Sequence, residues 1–301
     1  MRGSEFMEKK DIITLSVVNF NVDSKSKQKN RSRIAEFSET AARKGSSLIV
    51  FPELSLSGYE IFTNSKISNS EKVGLAETLD GETCIFLSEV AKTNNISIVF
   101  GMPERIDNKY YNSAVFIDET GAVNSYRKIH PFGNEKIFFE RGEEPLIIDT
   151  KWGKMGLCIC YDTYQFPELL RYYVAKGCRL ILNPTAMVEE VNIQNSRKSF
   201  ENYYIKSLEY ASLCNEVFIA SANLTGYDGD LYFGGASAVL GPQITPFAEV
   251  DSHIYAGGIE FKQEEVITVT IDLHLAKRRL FVPDAIDGKI DYRPDVYKKL
   301  M

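Results

Sequence analysis

The chain has 301 residues, 44% of them hydrophobic, with 35 Lys and Arg against 41 Asp and Glu for a net charge of −6. This length can bury a substantial core without disulfides or metals, in one large α/β domain or two small ones. The acidic balance argues against a nucleic-acid binder, and no apolar run approaches the roughly 18 residues that span a membrane.

Met1–Phe6 (MRGSEF) reads as an expression leader ahead of a second methionine, Met7, which leaves 7–301 as a single domain. Met7-Glu8-Lys9-Lys10 leads straight into a strand rather than a signal peptide, so a soluble cytoplasmic protein is expected. Ile12–Phe20 is a β-branched strand, and Lys29–Lys44 has helical spacing with Ile34, Phe37 and Ala41 on one face. Ser47–Phe51 is a short buried strand, Thr83–Thr93 a helix and Ile96–Gly101 a strand. A hairpin follows, with Ser113–Asp118 and Val123–Lys128 joined through Gly121. Lys154–Cys160 is a strand and Phe166–Lys176 a helix; Arg179–Asn183 is a strand, Phe200–Leu213 a helix and Val217–Ala222 a strand. A last hairpin is expected through Ala236–Leu240 and Val266–Ile271. The loops are Asn21–Gln28, Asn64–Asn69 and Ala186–Arg197, and no internal repeat is visible. Short strands alternating with amphipathic helices imply a layered α/β fold, and the hairpins imply mixed sheets.

Five cysteines (Cys84, Cys158, Cys160, Cys178, Cys214) without a secretion signal read as reduced thiols. Zinc sites need paired ligand clusters, and His130, His253 and His274 stand apart, so no metal is expected. Three strand ends carry residues suited to one chemistry. Glu53 follows the Ser47–Phe51 strand, where partial desolvation makes a carboxylate a usable base. Lys128 ends its strand beside apolar neighbours, where an ammonium can stabilise an oxyanion. Cys160 ends another strand just before a helix, an elbow that presents a nucleophile and leaves the Tyr161 N–H free to donate to an oxyanion. Each of these taken alone is outweighed by a bland alternative: a solvated loop glutamate, a surface lysine, a buried structural cysteine.

Together they resemble the nitrilase superfamily of carbon–nitrogen hydrolases, over nearly the whole chain. The resemblance rests on Phe51-Pro52-Glu53-Leu54-Ser55-Leu56-Ser57-Gly58-Tyr59, on Tyr111-Asn112-Ser113-Ala114 with Gly121 and Tyr126-Arg127-Lys128-Ile129-His130, and on Gly156–Asp162 with Phe166-Pro167-Glu168. Phe233, Gly235, Ser237 and Pro242, and the Asp291–Tyr297 tail, extend it. It implies an α-β-β-α sandwich with two mixed sheets, a Glu53–Lys128–Cys160 triad acting through a thioester without cofactor, and a homodimer or higher homo-oligomer pairing through Phe166–Lys176. By analogy Glu135 is a fourth catalytic residue beside Lys128; Glu140, Glu143 and Glu144 fit the spacing less well. Cys214-Asn215 and Pro242-Gln243-Ile244 depart from the family pattern and put the subfamily in doubt. Cys160-Tyr161-Asp162 looks more like the amidase and carbamoylase branches than like true nitrilases. The expected substrate is a small linear amide, held by Tyr59, Tyr164, Asn183, Thr185 and Met187. The alternatives are an N-carbamoyl amine or amino acid, whose carboxylate Arg171 or Arg197 would clamp, a nitrile, or glutamine-type ammonia supply to a partner.

Overall fold

A computed structural model of the chain describes residues 11–24, 26–242 and 253–299. The leader, Gln243 and Ile244 lie outside the described residues. In chain order the strands are β1 (Ile12–Asn19), β2 (Leu48–Val50), β3 (Ser97–Ile106), β4 (Lys109–Ile117), β5 (Val123–Arg127), β6 (Leu146–Thr150), β7 (Gly153–Leu157), β8 (Leu180–Thr185), β9 (Phe218–Asn223), β10 (Thr225–Asp228), β11 (Leu231–Gly234), β12 (Ala238–Leu240), β13 (Ile254–Gly257) and β14 (Glu265–Asp272). The helices are α1 (Lys27–Arg43), α2 (Glu60–Thr63), α3 (Asn69–Leu75), α4 (Glu82–Asn94), α5 (Tyr161–Gln165), α6 (Pro167–Ala175), α7 (Ser196–Tyr203), α8 (Ile205–Asn215) and α9 (Pro294–Tyr297).

Among the described residues the strands form two six-stranded sheets, β14-β1-β2-β3-β4-β5 and β13-β12-β9-β8-β7-β6, and the hairpin β10-β11. Both sheets are mixed. Read from β14 and from β6, each runs antiparallel, parallel, parallel, antiparallel, antiparallel. The fold therefore repeats a pairing pattern that the sequence does not show.

Alternation along the central strands creates three apolar layers. Leu48 and Val50 of β2 and Leu180 and Leu182 of β8 point between the sheets, together with Leu15, Val17, Phe218 and Ala220. Ile49, between its two neighbours, points the other way and packs with Ile34 and Ala41 of α1 and Leu87 and Ala91 of α4. Ile181 does the same on the far side, against Tyr173 of α6 and Leu208 of α8. The result is the α-β-β-α sandwich. Local signals set the ends of the outer helices: Ser26 Oγ caps α1 through the Lys29 N–H, Pro167 opens α6, and Asn95 closes α4 in the left-handed region. Among the described residues no helix is long and apolar enough to cross a membrane.

Some sequence expectations need correction. Ala236–Leu240 and Val266–Ile271 are not a hairpin: β12 pairs with β9 and β13, whereas β14 pairs with β1 in the other sheet. Two β-favouring runs close in sequence gave no indication of the sheet each would join. The Phe200–Leu213 helix is two helices, because Tyr204 (ψ −70) breaks the axis between α7 and α8. Strand β6 and helices α2, α3 and α5 are short elements whose periodicity is too brief to read.

Candidate active site

Three loops at one end of the sandwich meet where the carboxyl ends of β2 and β8 face each other. The Glu53 N–H donates to the Thr185 carbonyl at 3.3 Å, joining the two sheets at this point. The Glu53 loop lies directly on β3. A Cβ on Gly101 would come 2.1 Å from the Leu54 nitrogen and 2.7 Å from the Glu53 carbonyl carbon, so glycine is required for that approach.

Glu53, Lys128 and Glu135 are buried completely, at 0, 1 and 0% exposure. Lys128 follows β5, held by its N–H to the Asn112 carbonyl at 2.8 Å. Its Nζ donates to Glu53 Oε1 at 2.7 Å and to both Glu135 oxygens at 2.9 and 3.0 Å. Glu135 sits on a short 3-10 turn, Gly133–Ile137, while Glu140, Glu143 and Glu144 are exposed. Asn112 Nδ2 donates to Glu53 Oε1 at 2.7 Å and to Glu135 Oε2 at 3.3 Å, and the Tyr59 hydroxyl donates to Glu135 Oε1 at 2.5 Å. Glu53 Oε2 alone of these carboxylate oxygens has no hydrogen-bond partner among the described residues. Burial raises Glu53 above the ordinary carboxylate range, opposed by Lys128 and reinforced by Glu135. Lys128 stays protonated: the two glutamates outweigh the burial that disfavours its charge.

Cys160 is 9% exposed and has φ +46 and ψ −106, an uncommon conformation for a residue with a Cβ. Such strain costs roughly 1–3 kcal/mol and persists only where neighbours enforce it. Here the Cys160 N–H donates to the Pro184 carbonyl at 3.0 Å and to Asn183 Oδ1 at 3.1 Å, and its carbonyl accepts from the Thr163 N–H at 2.9 Å. Strand β7 ends at Leu157, yet the Cys158 and Cys160 amides continue the ladder onto β8. Tyr161 opens α5, so its N–H has no acceptor within the helix. Burial pushes the Cys160 thiol well above its ordinary value, and the Glu53 charge adds to this; Lys128, the Thr185 hydroxyl and the Ala186 amide pull the other way. The resting sulfur is therefore a thiol and needs a base.

A cavity of about 650 Å³ opens above Cys160. Tyr59, Tyr164 and Met187 line it, as the sequence indicates; Asn183 and Thr185 do not. Both are fully buried one layer beneath. Asn183 Oδ1 accepts from Cys160 N and Thr163 Oγ1, and Thr185 Oγ1 accepts from the Tyr164 hydroxyl at 2.7 Å. They support the nucleophile turn from within the sheet: Asn183 lies in the strand as the sequence indicated, and β8 runs two residues further and takes in Thr185 as well.

The chain has the matching sequence profile: residues 14–279 fit the carbon-nitrogen hydrolase family. The chain belongs to that family. It is 30% identical to a nitrilase of Pyrococcus abyssi over 95% of this chain and 99% of that one, and 31% identical to an omega-amidase of Xenopus laevis over 89% and 92%. An amidase from Nesterenkonia sp. AN1, solved with the acetamide moiety of fluoroacetamide added covalently at its active-site cysteine, superposes with a TM-score of 0.75 at 22% identity, covering 99% of this chain and 100% of that one. The protein is thus a carbon–nitrogen hydrolase with the fold of the nitrilase superfamily.

Within this hydrolase, two residues went unassigned in sequence. Asn112 joins both glutamates; a buried asparagine inside a strand, where β propensity is poor, was the available signal. Asp162 is fully buried two residues after Cys160. Its Oδ2 accepts from the Tyr126 hydroxyl at 2.7 Å, and its Oδ1 meets the His130 N–H at 3.0 Å and Nδ1 at 2.8 Å. Tyr126 and His130 flank Lys128 by two residues on either side, so one carboxylate fastens the lysine segment to the nucleophile turn. Asp162→Asn turns one acceptor into a donor facing donors. Since misplacement by about 1 Å costs about 100-fold, we expect kcat to fall roughly 10- to 100-fold, with KM nearly unchanged because Asp162 does not line the cavity. Steady-state kinetics beside circular dichroism check this; a changed KM at constant kcat would contradict it.

Proposed function

We propose that the protein hydrolyses a small linear amide, releasing ammonia, with Cys160 as nucleophile, Glu53 as general base and acid, and Lys128 and the Tyr161 N–H as oxyanion donors. The observation that carries this is the buried Glu53–Lys128–Glu135 cluster, with Glu53 Oε2 unpartnered, beside a protonated thiol on the cavity floor. Glu53 takes the thiol proton as sulfur adds to the amide carbon. The carbonyl oxygen becomes an oxyanion, and Lys128 Nζ and the Tyr161 N–H stabilise it. Glu53 returns the proton to the leaving nitrogen, the C–N bond breaks and a thioester remains. Water, deprotonated by Glu53, then adds to the thioester, and the acid leaves as the sulfur regains its proton. Glu135 keeps Lys128 charged and oriented through both of its oxygens. Tyr59, donating to Glu135 from the cavity wall, links substrate occupancy to that pair.

An amide is preferred over a nitrile from the residues after the cysteine and from the omega-amidase and amidase relatives. The N-carbamoyl amino acid alternative lacks its clamp. Arg197 is taken up by Glu189, the Gly234 carbonyl and the Ile259 carbonyl, and Arg171 stacks over Phe281. An ammonia-release screen over aliphatic amides, ω-amides, carbamoyl amines and nitriles tests the reading. We expect amides to exceed nitriles by about 100-fold or more in kcat/KM; faster turnover of nitriles would reverse the assignment.

We also propose a cytoplasmic setting, in keeping with five free cysteines, and at least a homodimer. Leu170 and Tyr173 of α6 are spent in the chain's own core, but Tyr172 of α6 and Tyr210 and Leu213 of the adjacent α8 are 40, 69 and 44% exposed. Light scattering at micromolar concentration is expected to give twice the chain mass. A monomer would remove the proposal.

A further inference from the structure

We propose, on the reading of the cavity as an amide-hydrolysing site, that the substrate carries an alkylammonium at the end remote from the scissile amide. The reacting end is fixed by Cys160 on the floor, so the rest of the lining must receive whatever the acyl chain carries. Three carboxylates stand in that lining: Glu60 from α2, Glu190 from the loop after β8 and Asp230 from the β10–β11 turn. They converge from three separate segments and are not one acidic run. Lys66 is the one cation among the described lining residues. Glu190 and Asp230 are exposed and form no ion pair among the described residues, so their charge is directed at solvent and ligand. Behind the wall Asp228 is 2% exposed; its Oδ2 accepts from the Tyr59 and Glu60 amides at 2.6 and 2.9 Å, and its Oδ1 has no partner among the described residues. Asp228 thereby fixes the Tyr59–Glu60 part of the cavity wall and the place of the Glu60 carboxylate.

The aromatic part of the lining suits the same ligand. Phe132, Tyr161 and Tyr203 are cavity residues, and ring faces attract alkylammonium groups as well as their methylenes. Against a carboxylate, the described lining residues offer Lys66 and set three acidic side chains against it. No arginine is present among the described lining residues, and Lys128 lies beneath the cavity between two carboxylates, Glu53 and Glu135. A substrate ending in a carboxylate would meet net repulsion in a cleft whose walls exclude much of the water, where like charges are screened less than in bulk. The omega-amide and N-carbamoyl amino acid classes both end that way.

Three amides of matched length decide the matter: ω-aminohexanamide, heptanamide and adipic acid monoamide, each assayed for ammonia release at low and at high salt. The expected order of kcat/KM is ammonium, methyl, carboxylate, with about 100-fold between the first and the last. High salt should compress that ratio, and in Glu190→Gln/Asp230→Asn the ratio of ammonium to methyl substrate should move toward one. Heptanamide turned over with the carboxylate member equal to or better than the ammonium member overturns the proposal and leaves amide hydrolysis standing. So does a ratio that neither salt nor the double variant moves. No release from any of the three amides would instead overturn the amide reading itself, and the proposal with it.

Discussion

Cys160→Ala is expected to abolish turnover, by at least about 10⁴-fold, while the folded structure persists. Alanine keeps the Cβ, so it meets the same left-handed backbone strain that cysteine meets and can be held by the same Pro184 and Asn183 acceptors. What disappears is the sulfur proposed to form the thioester. Cys158→Ala is the control, because the two thiols differ only in position. Cys158 is 0% exposed and packs in the outer layer with Tyr173 and Ile181, whereas Cys160 joins the layer between the sheets. Residues two apart on a strand share a face. The positive φ at Cys160 breaks that alternation and swings its side chain to the cavity floor. Cys158→Ala should therefore retain most activity and lose about 1 kcal/mol of stability from the small cavity left behind. Kinetics and urea unfolding on both variants measure this. Full activity in Cys160→Ala, or a dead Cys158→Ala, would move the nucleophile to the other cysteine. Labelling by a haloacetamide adds a check. Cys214 is partly exposed and will also react, whereas Cys84, Cys158 and Cys178 are buried away from the cavity that Cys160 lines, so Cys160 should be labelled ahead of those three.

The sequence carried this site unevenly, for physical reasons. Glu53, Lys128 and Cys160 could be proposed because their strand-end strings together resemble one family, though none stood out alone, and Glu135 was added by analogy with that family. A layered fold was legible from short apolar strands such as Leu48–Val50 and Leu180–Leu182 alternating with amphipathic helices, whereas the two-sheet sandwich came from the family resemblance. Partnership across long sequence separations was not. Nothing local in Asn112 shows that its side chain will meet Glu53, 59 residues away, and Glu135. Nor does Asp162 show that it will reach Tyr126 and His130. The substrate pocket suffered most, since Asn183 and Thr185 belong to the β8 ladder and the charged rim comes from segments that carry no motif.

Lys128→Met is expected to damage both chemistry and stability, and the pH dependence separates the two. The methionine fills a similar volume but leaves two fully buried carboxylates without their cation. Removing one partner of a buried ion cluster typically costs about 3–5 kcal/mol, far more than an exposed pair. Turnover should fall by about 10³-fold or more with the proposed oxyanion donor gone. Lys128→Arg is not a rescue, because a planar guanidinium cannot meet Glu53 and both Glu135 oxygens as a compact ammonium does. In the wild type, burial already raises Glu53 above 4.5. Without the ammonium that opposes burial, Glu53 rises further, so the folded variant binds a proton that the unfolded chain releases. Stability of the variant then falls as pH rises through the window above 4.5 and recovers as pH falls toward it. Urea unfolding at pH values spanning mildly acid to mildly alkaline should show the deficit relative to wild type widening with pH. Glu135→Gln supplies the converse: it keeps the Lys128–Glu53 pair and removes one negative charge, so it should fold well while kcat drops. A Lys128→Met protein as stable as wild type at every pH would mean that the cluster is not held by charge, and that the lysine's place in the site owes nothing to its two glutamates.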